Sequence, residues 1–233
     1  MTDEEKRRWR PSKAPTSAPG ARALHERVKA NKARTPSQRA WIERQLNDPY
    51  VKRAKEEGWR SRAAFKLIEL DDKHGILRRG ARVIDLGAAP GGWSQVALKR
   101  GVGAVVGIDL LDMDPLPGAT FLVGDFLAPG ADETICAALG GAPDVVLSDM
   151  AANTTGHART DQIKTGALAE AAAHFALQTL APGGAFVTKA FQGGLDAALL
   201  ADLKKQFKSV QHAKPPASRS GSPEIYLVAL GRR

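Results

Sequence analysis

From Arg82 onward, short runs of aliphatic and β-branched residues alternate with longer segments in which apolar residues recur every three or four positions. "RVIDLG" (82–87), "AVVGID" (104–109), "TFLVGD" (120–125), "DVVLSD" (144–149) and "GAFVTKAF" (184–191) read as strands, and 93–100, 131–139, 163–180 and 196–207 as helices. Nearly continuous apolar strands separated by helices predict a parallel sheet covered on both faces, an α/β architecture. The last two runs, "FKSVQHAK" (207–214) and "PEIYLVALG" (223–231), are joined through "PPASRSGS" without a helix. That connection predicts an antiparallel hairpin at one edge of a seven-stranded, mostly parallel sheet. Upstream, helix formers dominate 37–58 but are interrupted at Pro49, which predicts two short basic helices with a boundary at Asp48. Ser61 is placed to cap a further helix over 62–72, with Phe65 and Ile68 on one face. Residues 1–36, rich in Pro, Ala, Ser and basic side chains and without an apolar period, are expected to be a disordered extension, leaving one domain over 37–233.

Composition narrows the classes. With 233 residues, 43% of them apolar, the chain can bury one substantial core but not two full domains. Its single cysteine, Cys136, allows neither a disulfide framework nor a thiolate metal site, and implies a reducing, cytoplasmic setting. No run approaches the roughly 20 apolar residues needed to span a bilayer, and the N-terminus lacks the apolar core of a signal peptide, so no membrane association is expected. The net charge of +9 is unevenly placed: residues 1–62 hold 17 Lys and Arg against 8 Asp and Glu, whereas 63–233 are balanced at 17 against 17. Such asymmetry points to a polyanionic partner, because basic side chains release counterions condensed on phosphates; a solvated basic tail is the plainer alternative. Trp41, Tyr50 and Trp59 interleave with the basic residues and could stack on bases or anchor the helices.

In an open α/β sheet, ligands bind beyond the carboxyl ends of the strands, and here three strands end in Asp109, Asp125 and Asp149. Each alone could be a turn residue; together they could line one rim. The first strand runs into "DLGAAPGGWSQ" (85–95), where Gly87, Gly91 and Gly92 permit positive φ and close backbone approach to a ligand. Asp109 follows Gly87 by 22 residues, near the spacing at which an acidic side chain meets ribose hydroxyls in nucleotide-binding βαβ units. The turn is not G-x-G-x-x-G, Pro90 removes an N–H from the segment that would cradle a pyrophosphate, and no G-K-[ST] follows. An NAD-dependent oxidoreductase and a P-loop are therefore disfavoured. S-adenosyl-L-methionine (SAM), with a ribose and an adenine but no phosphate, suits acidic and glycine-rich contacts.

Lys189 sits inside "AFVTKAF", where a buried strand would carry only apolar side chains. "RSRAAFKL", "DLGAAPGGWSQ", "GIDLLDMDP", "GDF", "SDMAAN", "APGGAFVTKAFQG" and "SRSGSPEIYLVA" together resemble, in order and spacing from about Trp41 to Gly231, the FtsJ/RrmJ (RlmE) family of ribosomal RNA ribose 2'-O-methyltransferases. The resemblance implies a SAM-dependent enzyme of Rossmann-like methyltransferase fold that methylates a uridine 2'-hydroxyl in the A-loop of large-subunit (23S) rRNA during ribosome maturation. It implies a monomer whose partner is that rRNA, free or within the assembled or assembling large ribosomal subunit; no metal is expected, because no His or Cys cluster has ligand spacing. It also implies a catalytic set of Lys66, Asp149, Lys189 and Glu224, and cofactor contacts at Gly87, Gly91, Gly92, Trp93, Asp109, Asp125 and Asp149. Ala152 stands where the family usually has proline, with Asn153 beside it retained; residues 1–36 inherit nothing from the likeness.

The implied chemistry asks a poor nucleophile to attack an already activated methyl, so orientation and proton removal are the difficulty. A lysine accepts that proton only where a second lysine and burial disfavour its charged form, while Asp149 and Glu224 act in the opposite sense. On this reading Lys189 is the general base or the principal orienter of the hydroxyl, Lys66 positions the ribose, Asp149 lies near the sulfonium, and Glu224 positions a lysine or the RNA. "TTGHARTDQ" (154–162) is expected to be a mobile loop, and His74 and His157 surface residues. A tRNA or mRNA-cap 2'-O-methyltransferase of the same superfamily and a non-catalytic RNA-binding ribosome-assembly factor are the alternatives.

Overall fold

The structure, a computed structural model, describes residues 35–152 and 156–233. The expected extension therefore lies almost wholly outside the described residues, as do Asn153 and the first residues of "TTGHARTDQ". The chain divides into two compact units, Met1–Pro49 and Tyr50–Arg233. In the first, α1 (Pro36–Leu46) opens on a proline, whose missing N–H costs nothing at a first helical position, and closes beyond Arg44 where the Asn47 side-chain amide donates to the Glu43 carbonyl at 2.7 Å.

In the second unit, α2 (Pro49–Glu56, of which Pro49 closes the first unit) and α3 (Ala64–His74) precede a sheet built from β1 (Arg82–Leu86), β2 (Ala104–Asp109), β3 (Ala119–Val123), β4 (Val145–Ser148), β5 (Ala185–Phe191), β6 (Phe207–Ala213) and β7 (Glu224–Arg232). The strand order is β3-β2-β1-β4-β5-β7-β6, with β1 to β5 parallel and β7 antiparallel to both β5 and β6. The final hairpin thus forms as predicted, and β7 is inserted between β5 and the edge strand β6. The four linking helices are α4 (Gly92–Lys99), α5 (Ala131–Leu139), α6 (Ala158–Thr179) and α7 (Ala197–Gln206).

Period-two alternation sorts the two cores. Val83, Val105, Leu147, Val187, Tyr226 and Val228 pack with α3 and α4, where Phe65, Leu67, Trp93 and Val96 are buried. Ile84, Val106, Val146, Phe186 and Leu227 pack on the opposite face with Ile135, Ala172, Ala176 and Leu203 from α5, α6 and α7. The strand order reverses between β1 and β4, so the crevice beyond their carboxyl ends is the topological switch point.

Three local expectations are corrected. Ser61 caps nothing: α3 starts two residues later than expected, its N-cap position is Ala63 in helical conformation with no side-chain cap, and Ser61 Oγ is buried without a hydrogen-bond partner among the described residues. Helix α6 begins at Ala158, so 158–162 is helix rather than loop; the polar run hid a first turn in which Asp161 is buried and favourably placed near the helix N-terminus. His74 is half-buried, and burial followed by the neighbouring Lys73 lowers its pKa, whereas His157 is exposed.

Candidate active site

Alternation along two paired strands sets the site. Lys189 continues the period-two series of Ala185 and Val187 on the α3-facing side of β5, and in the antiparallel register it lies directly opposite Tyr226, with Phe191 opposite Glu224. Glu224 and Tyr226, two residues apart, share that face. Helix α3 crosses it and delivers Lys66, while β4 ends at Ser148 and hands the chain to Asp149. The four residues predicted as a set therefore do converge, and they do so around a fifth, Tyr226.

Lys66 Nζ lies 2.9 Å from both carboxylate oxygens of Glu224 and 3.0 Å from the Tyr226 hydroxyl. Asp149 Oδ1 is 3.7 Å from Lys66 Nζ and 3.2 Å from Lys189 Nζ, and accepts a 2.6 Å hydrogen bond from the Tyr226 hydroxyl. Lys189 also donates to the main-chain carbonyl of Asp149. Both lysines are buried, at 8% and 7% exposure, which is tolerated because each ammonium faces a carboxylate. Burial alone would raise the Asp149 pKa, but the ammoniums of Lys189 and Lys66 and the Tyr226 hydrogen bond outweigh it and hold the carboxyl below its ordinary range. Tyr226 is pushed well above its ordinary value by burial and then by the Asp149 and Glu224 carboxylates, so it remains a proton donor.

The carboxyl ends of β1 and β2 and the residues following β3 and β4 border a cavity of about 290 Å³ lined by Gly87, Asp109, Asp125, Phe126, Asp149 and Met150, among others. All three strand-ending aspartates reach it. Two of them also serve the turns that were the plainer reading: Asp109 accepts from the backbone N–H of Ala89 and of Leu111, and Asp125 from that of Leu127. A smaller adjoining cavity of about 20 Å³ is lined by Ser61, Asp85, Gly87, Gly92, Trp93 and Asp149.

Within the glycine-rich turn, Gly87 and Gly91 take positive φ, of 73° and 95°, but Gly92 does not. Gly92 instead begins α4, and a Cβ there would meet Ser61 Oγ at 2.5 Å; at Gly87 a Cβ would meet Met150 Cγ at 2.3 Å. These glycines make room for protein neighbours. The Trp93 indole is directed into the core, donating to the Ala63 carbonyl at 2.8 Å with its ring 5.7 Å from that of Tyr226. Tyr50 and Trp59 are anchors: the rings pack on Phe65 at 5.4 and 6.5 Å, and Lys99 lies 3.9 Å over the Trp59 ring. The Trp41 side chain lies outside the described residues.

Three contributors were not singled out from sequence. Tyr226 could have been found from its spacing of two from Glu224. Asp85 breaks an apolar strand just as Lys189 does; it is buried at 1% exposure, and burial, with the Asp149 and Asp109 carboxylates adding to it, raises its pKa to about 7 against the opposing hydrogen bond from Ser94. Ser94 Oγ donates to Asp85 Oδ2 at 2.7 Å, while Asp85 Oδ1 is buried without a hydrogen-bond partner among the described residues. Arg60 donates to the carbonyls of Pro90, Asp114 and Pro115 at 3.2, 2.8 and 2.8 Å, tying the segment before α3 to the glycine-rich turn. No sequence pattern marks it, because its partners are backbone oxygens.

Residues 59–232 match the FtsJ-like methyltransferase family. The chain belongs to that family. This methyltransferase is 57% identical over 224 residues to ribosomal RNA large subunit methyltransferase E of Xanthobacter autotrophicus, covering 94% of this chain and 88% of the relative. It is 54% identical to the protein of the same name from Hyphomonas neptunium, over the full length of both. Among solved structures, one assigned as a ribosomal RNA methyltransferase of Plasmodium falciparum superposes with a TM-score of 0.66 at 33% identity, covering 75% of the methyltransferase and 98% of that chain.

Proposed function

We propose that the chain transfers the methyl group of SAM to the 2'-hydroxyl of a uridine in large-subunit rRNA, within the A-loop of the peptidyl-transferase centre, during maturation of the ribosome. The observation that carries this reading is the convergence of Lys66, Asp149, Lys189 and Glu224 on Tyr226, beside an acidic cavity at the switch point. The names of the relatives support the substrate class, and the ordered motifs support the sugar hydroxyl as acceptor.

The cavity residues fit SAM. Asp109, Asp125 and Asp149 present carboxylates where a ribose and a cationic ligand would be held, and among the described residues no basic side chain lines the cavity to suit a phosphate instead. Bound there, SAM supplies a methyl activated by a sulfonium, so no further activation of the leaving group is required.

The chain's own residues then orient the nucleophile. An ammonium has three donors, and Lys189 spends two on Asp149, leaving one for the ribose 2'-oxygen. Lys66 has its three donors on Glu224 and Tyr226, so it meets the ribose by exchanging one of them. As an ammonium, Lys189 orients the hydroxyl rather than removing its proton, which passes to water as the oxygen–methyl bond forms, and alignment by two fixed lysines supplies several kcal/mol of the barrier, on the order of proximity effects elsewhere. Asp149, ionised beside both, keeps the pair of cations together.

The test is Lys189→Met. Transfer from labelled SAM to hypomethylated large subunits should be abolished while calorimetric SAM binding stays at the wild-type value. Wild-type turnover in the variant would remove the assigned role, and mapping the 2'-O-methyl site lost on gene deletion would decide the nucleotide.

A further inference from the structure

The excess positive charge of this chain has a counterpart of which the proposed reaction uses only Asp109, Asp125 and Asp149. Residues 101–158 contain eight Asp and Glu and not one Lys or Arg. They build β2, β3, α5 and β4, and β3 ends the sheet with its outer edge unpaired among the described residues. Four of the six exposed large apolar side chains among the described residues lie here: Leu110 at 70%, Leu111 at 66%, Val123 at 61% and Leu127 at 55%. They are neighbours in the fold, because Val123 pairs with Asp109, Gly124 N–H donates to the Asp109 carbonyl, and Leu110 and Leu127 border one cavity. Leu111 and Val123 lie outside that cavity, so a cofactor within it leaves them uncovered. Asp112 and Asp114, on the loop after β2, are exposed beside them.

We propose that the β3 edge, with Leu110, Leu111, Val123 and Leu127 set beside Asp112 and Asp114, is a docking surface for a basic, aliphatic-rich protein segment on the large ribosomal particle. Charge decides the class of partner. Phosphates are disfavoured where Asp112 and Asp114 are the exposed charges of the loop and the Arg60 guanidinium beside it is bonded to the Asp114 and Pro115 carbonyls, and aliphatic side chains offer bases no aromatic face to stack on. A protein segment with Lys or Arg between apolar residues meets both features, and an open strand edge adds unpaired backbone groups. Exposed aliphatic clusters of this kind mark interaction sites. Lys52 and Lys55 of α2, exposed and outside residues 101–158, are left to meet the phosphates of the RNA. The RNA and its protein companions would thus be met by surfaces of opposite sign.

The inference rests on the large-subunit reading, so transfer to purified hypomethylated large subunits is measured first with the wild-type enzyme. No transfer counts against the substrate reading. Given transfer, Val123 is replaced by a benzophenone-bearing amino acid and the enzyme is irradiated with the same subunits. The expected adduct is destroyed by protease and survives ribonuclease; an adduct to rRNA, or none, overturns the docking surface alone. In parallel, Asp112→Lys with Asp114→Lys should weaken binding to the subunits about tenfold or more with SAM affinity unchanged. Unchanged or tighter subunit binding overturns the proposal.

Discussion

At Tyr226 one phenol serves two neighbours of opposite charge: it donates to Asp149 and lies within hydrogen-bond reach of Lys66. Tyr226→Phe should therefore leave SAM affinity intact, lower methyl transfer by roughly ten- to a hundredfold and cost about 1–3 kcal/mol of stability, because a buried carboxylate loses a donor. Single-turnover assays and urea unfolding measure the two effects, and undiminished turnover would show that the lysines hold their positions without it. Asp85 makes a pH prediction. Its folded pKa of about 7 lies above the ordinary 3.8, so the folded state holds this proton more tightly. The stability it contributes is fully present below pH 3.8 and is lost as pH rises through 7. Asp85→Asn removes that loss: the variant should gain on wild type steadily between about pH 4 and about pH 8 in denaturant titrations, and parallel curves would contradict the assignment. Asp149 has the opposite sign. Its depressed pKa contributes stability above the ordinary carboxylate range that is lost in acid.

Among elements, the connection between β6 and β7 has more structure than its sequence suggests. "PPASRSGS" reads as a loose turn, yet Ala217 is fully buried; its N–H donates to Glu69 Oε2 at 2.7 Å and its carbonyl accepts from Arg62, both at or next to α3. Ser218 then donates to Glu224 Oε1 at 2.7 Å, and Glu224 holds Lys66. Helix α3 thus braces the hairpin that positions its own lysine. Glu69→Ala should lower methyl transfer several-fold without changing SAM affinity; a loss confined to SAM binding would break this chain of contacts. At the turn after β1, Gly87→Ala forces a positive φ on alanine and drives its Cβ toward Met150, a combination expected to cost about 2 kcal/mol or more and to lower Tm.

At the scale of the whole molecule, charge is segregated along the chain, with 17 basic residues up to and including Arg62 and none from 101 to 158. If the exposed lysines of α2 meet phosphates, Lys52→Glu with Lys55→Glu should weaken rRNA binding at low salt and flatten its salt dependence by about one to two units of log–log slope; an unaltered slope would place the RNA elsewhere. The strand and helix rhythm, the antiparallel final hairpin and the acidic strand ends were all legible in the sequence, because each follows from local periodicity and turn chemistry. The ordered motifs also named the four residues that meet. What the sequence left open was where side chains cross between elements: that Ser61 faces Gly92 instead of capping α3, that Trp93 points into the core, and that Tyr226 joins the two lysines to Asp149. Those outcomes depend on the register of β5 against β7 and on how α3 lies across the sheet, and contacts between residues 30 to 160 positions apart leave no periodic trace in the chain.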